Sequence, residues 1–208
     1  MSATPAPKRM TVAEYLAHER TAEYKSDFID GRLYPVHNPL GLADPTAMAG
    51  ASREHNRVKE NLVGELFARL RACGCDSYSS DQRVRVSPTG RYNYPDIVIV
   101  CEPPQYAADD RDALVNAQII IEVLSPSTEP YDRGLKFAGY RRQDSIREVV
   151  FVAQAHPRVE RFVRQPDGTW VMTVFDDPAG EVAFSTIPVR VPLANVYRGV
   201  DLLSDEPG

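Results

Sequence analysis

The sequence predicts an α/β fold: one domain in which helices flank a mixed central β-sheet. Its 208 residues, 43% hydrophobic and 25% charged, are enough to bury one substantial core. Helical and strand patterns alternate along the chain, and no repeat, low-complexity tract or linker separates them. We therefore expect a single domain over residues 10–200, between a disordered N-terminal tail at 1–9 and a C-terminal tail at 201–208.

The N-terminal part of this domain predicts a short helix followed by a hairpin. Thr11 and Glu14 form a capping box, in which each satisfies a free backbone donor of the other, and the helix ends near Glu19. Residues 28–34 are typical of a β-hairpin with Asp30-Gly31 at its turn.

A second, longer helix is predicted from Ser52, its cap, to about Ala72. Apolar residues recur on one broad face of this helix. They are Val58, Leu62, Val63, Leu66, Phe67 and Leu70. His55 and Lys59 fall on the same face near the N-terminal end, so we expect an inward-facing polar tip.

Beyond residue 75 most of the pattern is that of strands. Strands are predicted at 76–79, 82–86, 94–100, 117–124, 148–153, 158–165 and 170–175. A turn at 88–90 and a polar loop at 102–116 join the earlier strands. A helix from about Tyr131 to Gln143 follows the strand 117–124, and a short turn is expected at 193–197.

Charge and cysteine usage narrow the class of protein. The net charge of −5 and a pI near 5.4 argue against a general nucleic-acid coat protein, but a local basic rim still permits a nuclease. Three cysteines without zinc-site spacing predict free thiols in a reducing compartment. Since no segment has the apolar length of a signal peptide or a membrane span, we expect a cytoplasmic protein with no membrane partner.

The most informative residue is Glu122, which interrupts the apolar segment 119–124. Aliphatic neighbours on both sides indicate a buried central strand. An ionised carboxylate there costs several kcal/mol unless a cation or hydrogen-bond donors meet it. Asp96 at the head of the strand 97–100 and Lys136 on the following helix are the candidate partners.

Two carboxylates on neighbouring strands favour a hard cation. Asp96 and Glu122 together offer the oxygen ligands that Mg²⁺ prefers, with Mn²⁺ as a second candidate. Such an ion activates water and stabilises charge on a phosphate. Asp132, Lys136 and Tyr140 recur every four residues, so they share one stripe of the next helix. From there Lys136 can reach the end of the Glu122 strand, to orient a water or neutralise a phosphate.

An ordered set of segments carries a resemblance to a known family. These segments are Met10–Leu16, Ile29-Asp30-Gly31, Ser52-Arg53-Glu54-His55, Pro95-Asp96, Ile121–Thr128 and Asp132–Lys136 with Tyr140. The set spans most of residues 10–200 and resembles the Uma-type restriction endonuclease family of the PD-(D/E)XK nuclease superfamily. The resemblance implies a restriction-endonuclease-like core.

The resemblance also implies roles for individual residues. Asp96 and Glu122 would bind the metal with the carbonyl of Val123. The superfamily's usual lysine, two residues after the glutamate, is Leu124 here, so Lys136 would supply the amine instead. The glutamate that the family often has after the hairpin Asp-Gly is Arg32 in this chain, which argues against an acidic contact from that position.

Each of these residues also has a purely structural interpretation. Glu122 and Lys136 form a buried ion pair without metal in that view, and Asp96 is a strand cap. His55, Glu54 and Lys59 at the helix tip, and Asp132 and Tyr140 on the later helix, are accessory site residues in one interpretation and packing residues in the other. Arg133, Arg141 and Arg142 either contact phosphates or form a solvated helix face.

The sequence thus leads to a hypothesis and an alternative. The hypothesis is a Mg²⁺-dependent endonuclease that hydrolyses DNA phosphodiester bonds, using Asp96, Glu122 and Lys136. The alternative is a catalytically inactive nucleic-acid-binding or interaction module on the same fold. A different metal-dependent phosphoesterase is a third interpretation, and a homodimer is expected only by analogy with nucleases that cut two strands as pairs.

Overall fold

The computed structural model describes residues 9–37, 39–41, 51–87 and 90–202. Within these ranges the chain forms two six-stranded sheets and a two-stranded hairpin, with helices packed against them. The predicted tails, except residues 9, 201 and 202, lie outside the described residues. So do residues 88 and 89 of the predicted turn.

The N-terminal helix and hairpin form as predicted. Helix α1 spans Val12–Glu19, and both hydrogen bonds of the Thr11–Glu14 capping box are present. Strands β1 (Ser26–Ile29) and β2 (Arg32–Pro35) pair in antiparallel order. Asp30 and Gly31 between them have φ of 49° and 89°, the left-handed conformation that a tight two-residue hairpin turn requires.

Helix α2 spans Arg53–Ala72, and Ser52 caps it by accepting a hydrogen bond from the His55 backbone. Its buried stripe is narrower than predicted. The stripe consists of Val58, Leu62, Leu66 and Leu70, which recur every four residues. The prediction that Phe67 belongs to the core is wrong: Phe67 is 56% exposed, with the Arg71 guanidinium 5.7 Å from its ring centre.

Strands and short helices fill the rest of the chain. The strands are β3 (Asp76–Ser79), β4 (Arg83–Ser87), β5 (Arg91–Asn93), β6 (Ile97–Val100), β7 (Tyr106–Ala107), β8 (Asp110–Leu114), β9 (Ile119–Leu124), β10 (Glu148–Ala153), β11 (Val159–Arg164), β12 (Trp170–Phe175), β13 (Glu181–Ala183) and β14 (Arg190–Pro192). The helical segments are α3 (Glu129–Tyr131), a π-helical turn (Asp132–Lys136), α4 (Phe137–Tyr140) and α5 (Leu193–Val196).

Two predicted boundaries are wrong. The predicted strand 94–100 begins only at β6, because the chain passes from one sheet to the other between β5 and β6 and Pro95 has no N–H to donate to a ladder. The predicted loop 102–116 contains β7 and β8. The polar composition of this segment indicated a solvent-exposed loop, but Asp110 is buried in an ion pair with Arg83, at 2.6 Å between Oδ2 and Nη2.

The central sheet has the strand order β12-β11-β10-β9-β6-β3. Its β9–β10 pair is parallel and its other pairs are antiparallel, so it is a mixed sheet as predicted. A second sheet, which we call the outer sheet, has the order β2-β1-β5-β4-β8-β7. Helix α2 packs on one face of the central sheet, and α4 and the outer sheet pack on the other.

The alternation of side chains along β6 and β9 divides the core in two. Odd-numbered residues such as Ile97 and Ile121 face α2, while even-numbered residues such as Val98 and Ile120 face the outer sheet. Glu122 follows this even-numbered series, so it points toward the helical segments at 129–140. The fold therefore directs the one carboxylate of β9 to the side on which Lys136 lies.

The prediction of three free thiols is wrong for Cys75 and Cys101, which form a disulfide. The register of β3 and β6 explains the pairing: Asp76 lies opposite Val100, so the residues just beyond this pair also face each other. Cys73 is the free cysteine, with its Sγ 3.7 Å from Cys75 Sγ.

Among the described residues, no helix has both the length and the apolar character needed to cross a bilayer.

Candidate active site

The candidate site lies in a cleft of about 780 Å³ at the junction of the two sheets. Several parts of the chain meet there: the segment before β1, the start of α2, the N-terminal end of β6, the C-terminal end of β9 and the π-helical turn. Asp96, Glu122, Val123, Asp132 and Lys136, all predicted site residues, line this cleft.

Asp96 and Glu122 occupy opposite positions on neighbouring antiparallel strands. Ile97 pairs with Ile121, so the next residue outward on each strand faces the other. The Asp96 backbone N–H donates to Glu122 Oε2 at 3.3 Å, and the Val123 N–H donates to Asp96 Oδ2 at 2.8 Å. The two carboxylates are therefore held together by backbone geometry.

Lys136 reaches this pair from the π-helical turn. Its Nζ lies 3.1 Å from Glu122 Oε1, 3.2 Å from Asp132 Oδ1 and 3.8 Å from Asp27 Oδ2. The lysine side chain is only 7% exposed. Leu124, two residues after Glu122, carries no amine. The next helical segment instead places the Lys136 amine beside Glu122.

Burial and charge act in opposite directions on these groups. Burial by itself lowers the pKa of Lys136, but the carboxylates of Asp132, Glu122 and Asp27 outweigh it and raise that pKa well above its ordinary value. Burial, with repulsion from Asp132 and Asp96, raises the pKa of Glu122 to about 8 despite the attraction of Lys136. The lysine is therefore a permanent cation beside a carboxyl group that ionises reluctantly.

Tyr140 on α4 fixes the orientation of Glu122. The tyrosine is fully buried, and its hydroxyl donates to Glu122 Oε1 at 2.6 Å. Glu122 Oε1 thus receives two donors, from Tyr140 and Lys136, whereas Oε2 receives the Asp96 N–H. Tyr140 therefore contacts a candidate site residue in addition to packing in the core.

Asp27 on β1 is a site residue that sequence reasoning missed. It is fully buried, and its Oδ1 accepts from the Tyr94 N–H at 2.7 Å while its Oδ2 accepts from the Tyr131 hydroxyl at 2.9 Å. Position 32, after the turn, is the arginine Arg32 and offers no carboxylate. The hairpin supplies a carboxylate from Asp27 instead, before the turn. A signal existed in the sequence, namely a lone carboxylate directly before Phe28-Ile29.

His55 approaches Asp96 from the start of α2. Its Nε2 lies 3.2 Å from Asp96 Oδ2, and no described group bonds its buried Nδ1. Burial by itself raises the pKa of Asp96, but hydrogen bonding and charge from His55 outweigh it, so that pKa is lowered. Lys59, one turn further, donates to Ser80 Oγ at 2.9 Å.

Other predicted site residues are not brought to the cleft. Glu54 lies in the first turn of α2 and does not line the cleft. Arg133 pairs with Glu129 at 2.6 Å and with Glu160 at 2.5 Å. Arg141 and Arg142 likewise do not line the cleft. Phosphate contacts by these arginines stay a prediction.

Asp96 and Glu122 are the candidate ligands for a magnesium-type ion. Within the described ranges, no group of three or more His, Cys, Asp or Glu side chains surrounds a common metal position. Asp96 and Glu122 offer hard oxygen atoms at opposed strand positions, and Val123 also lines the cleft. Two carboxylates and a carbonyl suit Mg²⁺, which keeps several of its waters.

The fold is the predicted restriction-endonuclease-like α/β core. A crystal structure described as "a putative nuclease belonging to DUF820" from Anabaena variabilis ATCC 29413 superposes with a TM-score of 0.67. The match covers 91% of this chain and 98% of that one, at 14% sequence identity. This similarity establishes the fold.

The chain belongs to the Uma2 family, described as "Putative restriction endonuclease", whose profile matches residues 12–193. "Uncharacterized protein sll1609" from Synechocystis sp. (strain ATCC 27184 / PCC 6803 / Kazusa) is 31% identical over 182 residues, covering 88% of this chain and 96% of that protein. "Uncharacterized protein slr1290" from the same organism is 26% identical, covering 94% and 95%.

Proposed function

We propose that this protein is a Mg²⁺-dependent endonuclease that hydrolyses DNA phosphodiester bonds. The observation that carries the proposal is the convergence of Asp96, Glu122 and Lys136 in one cleft, with both carboxylates at opposed strand positions. Membership of a family described as a restriction endonuclease supports the class of reaction.

In this proposal Asp96, Glu122 and the Val123 carbonyl hold the cation. When bound, the cation supplies Lewis-acid chemistry, lowering the pKa of a bound water and stabilising charge on the phosphate. Glu122 must be ionised to serve as a ligand, and Tyr140 and Lys136 both favour that ionised form. His55 keeps Asp96 ionised in the same way.

Lys136 acts in this proposal as a charged hydrogen-bond donor. Because its pKa is raised well above the ordinary value, it stays protonated and does not accept a proton from water. Its ammonium group instead orients the attacking water or neutralises charge that develops on the phosphate. Asp132 of the same π-helical turn and Asp27 of β1 hold it in place.

Plasmid nicking tests the proposal. Supercoiled DNA is incubated with Mg²⁺ or Mn²⁺ and with wild type, Asp96→Asn, Glu122→Gln or Lys136→Met. We expect each variant to lose about 100-fold or more in rate, whereas Glu60→Gln, an exposed carboxylate of α2, retains the wild-type rate. Equal nicking by all proteins would show that the activity is a contaminant and would overturn the assignment.

A non-catalytic nucleic-acid-binding module is the second candidate. The observation that favours it is the closed arrangement around Glu122, where protein donors already meet both carboxylate oxygens. Thermal unfolding separates the two, because a cation that binds the folded state raises the melting temperature. Salt-sensitive DNA binding with no shift by Mg²⁺ or Mn²⁺ would favour the module.

A homodimer and a cytoplasmic location are further parts of this proposal. Sedimentation of the purified protein measures the first, and fractionation of cells that express it measures the second. A dimer would predict linear DNA as an early product, since paired sites cut both strands together.

A further inference from the structure

Lysine is rare in this chain, and its placement is uneven. Of 24 basic residues only four are lysines, and Lys8 lies outside the described residues. The other three, Lys25, Lys59 and Lys136, all line the candidate active-site cleft. Lys136 serves the carboxylate pair, so the other two call for a separate explanation.

Lys25 and Lys59 converge on one residue, Ser80. Lys25, in the segment before β1, donates to the Ser80 carbonyl at 3.0 Å. Lys59, on α2, donates to Ser80 Oγ at 2.9 Å. Two ammonium groups from distant parts of the chain therefore meet at one end of the cleft.

Ser80 is held in an uncommon conformation next to Asp96. Its φ of 42° lies in the left-handed region, which a serine rarely adopts. Its N–H donates to the Asp96 carbonyl at 2.9 Å. Since such conformations persist where surrounding structure enforces them and cluster at ligand sites, the Ser80 conformation ties the two lysines to the metal-binding end of β6.

The charge around these lysines is incompletely balanced. Within the described ranges no carboxylate pairs with Lys59, whereas Lys136 has three such partners. Lys25 pairs at 2.6 Å with Asp81, whose side chain is 87% exposed. Because the Asp81 side chain is solvated and can swing away, the lysine pair retains room and charge for an external anion.

The lysine pair lies near the carboxylate pair, because both are contacted from the first turns of α2. Lys59 follows His55 by four residues of α2, a rise of about 6 Å, and His55 contacts Asp96. A phosphate bound near Lys59 would therefore neighbour a phosphate at the carboxylate pair.

We propose that Lys25, Lys59 and Ser80 form a second phosphate subsite, which binds a backbone phosphate flanking the one that is cleaved. The identity of the ligand as nucleic acid rests on the proposed function. Lysine suits the role because its ammonium is a compact charge with three rotatable donors. The contact positions the strand and carries no sequence information.

Salt-dependent DNA binding tests the subsite. Fluorescence anisotropy of a labelled duplex is measured in EDTA from low to physiological salt, for wild type, Lys25→Gln, Lys59→Gln, Lys59→Arg and Asp81→Asn. Arg57→Gln is the matched control, since it removes one charge from an exposed position of α2 that does not line the cleft.

Each Lys→Gln variant is expected to reduce the slope of log K against log salt by about 1 and to weaken binding equally for all sequences. Lys59→Arg and Arg57→Gln should keep the wild-type slope, and Asp81→Asn should bind more tightly at low salt. Circular dichroism confirms that each variant is folded.

The outcomes separate this subsite from the proposed reaction. A wild-type slope in both Lys→Gln variants, or no binding by wild type at low salt, would overturn the subsite even if the protein nicks DNA. Lysine-dependent binding by a wild type that never nicks DNA would support the subsite and reject hydrolysis.

Discussion

Burial makes the ionisation of Glu122 costly, yet the ionised carboxylate is the form that the proposed metal site requires. Its carboxyl group is 2% exposed and has a pKa raised to about 8 by burial and by neighbouring acids. An ionised form at neutral pH depends on the donors around it, of which Tyr140 and Lys136 are the nearest. A bound cation would favour that form further.

Tyr140→Phe tests this dependence at the residue scale. The change keeps the ring but removes the hydrogen bond to Glu122. In the wild type this hydrogen bond lowers the pKa of the Glu122 carboxyl group. The pKa of Glu122 should therefore rise in the variant, and the ionised form should appear only at higher pH. We expect the acidic limb of the nicking pH–rate profile to move upward and the rate at pH 7 to fall about 10-fold.

The pH profile distinguishes this role from packing. Lower activity with an unchanged pH profile would mean that Tyr140 only supports the fold, and a melting curve measured in parallel would reveal that loss. Tyr34→Phe is the control, because this half-buried tyrosine packs on Tyr131 without contacting Glu122.

At the scale of elements, α2 shows how narrow a buried helix face is. Leu66 is fully buried, while its neighbour Phe67 is 56% exposed. The hydrophobic pattern placed both on one broad face, but the buried residues of α2 are those spaced by four, and Phe67 lies outside that series.

Leu66→Ala and Phe67→Ala form a matched pair on this helix. Removal of the buried leucine leaves a cavity in the main core, so we expect the free energy of unfolding to fall by 2–5 kcal/mol, an approximate range for such changes. The phenylalanine variant should lose less than about 1 kcal/mol. Urea denaturation measures both, and equal losses would contradict the observed packing.

The ion pairs between α3, the π-helical turn and β11 give an element-scale prediction with a pH dependence. Arg133 and Arg158 hold Glu160 at 2.5 Å and 2.9 Å. Burial opposes ionisation, but hydrogen bonds from the two arginines outweigh it and hold the pKa of Glu160 below its ordinary value of 4.5.

Glu160→Gln should therefore cost about 1 kcal/mol at pH 7. Because the pKa is lowered in the folded state, the contribution is complete above the ordinary pKa and is lost as the pH falls through the lower folded value. The stabilities of wild type and variant, measured by urea denaturation, should converge as the pH falls from the ordinary pKa of 4.5 through the lower folded pKa. A stability gap between wild type and variant that does not shrink as the pH falls below 4.5 would contradict the ion-pair explanation.

At the scale of the whole molecule, the Cys75–Cys101 disulfide joins the edge strand β3 to β6. The two cysteines are 26 residues apart, so the bond closes a loop in the unfolded chain. Loops of this size correspond to about 3 kcal/mol of stability in the chain-entropy view.

Reduction should therefore lower the free energy of unfolding by about 3 kcal/mol. Urea denaturation with and without dithiothreitol measures this, and a Cys73→Ser variant should show the same sensitivity. Thiol titration of the denatured, unreduced protein should find only the Cys73 thiol. If all three cysteines titrate, the disulfide is absent and reduction should have no effect.

Much of the fold followed from local patterns. The Thr11–Glu14 capping box, the Asp30-Gly31 turn and the Ser52 cap each specify backbone geometry within a few residues, so their elements formed where predicted. The apolar segment of β9 identified the central strand. Glu122 within it indicated a site, and Lys136 was within reach because it lies on the next helical segment.

Tertiary structure decided which distant residues complete the site. Asp27, 95 positions before Glu122 in the sequence, reaches Lys136 only because the hairpin joins the outer sheet. The Lys25–Lys59–Ser80 cluster and the Cys75–Cys101 pair likewise depend on sheet order and register. Local sequence encodes turns, caps and the alternation of faces, whereas contacts between separate elements depend on how whole sheets pack.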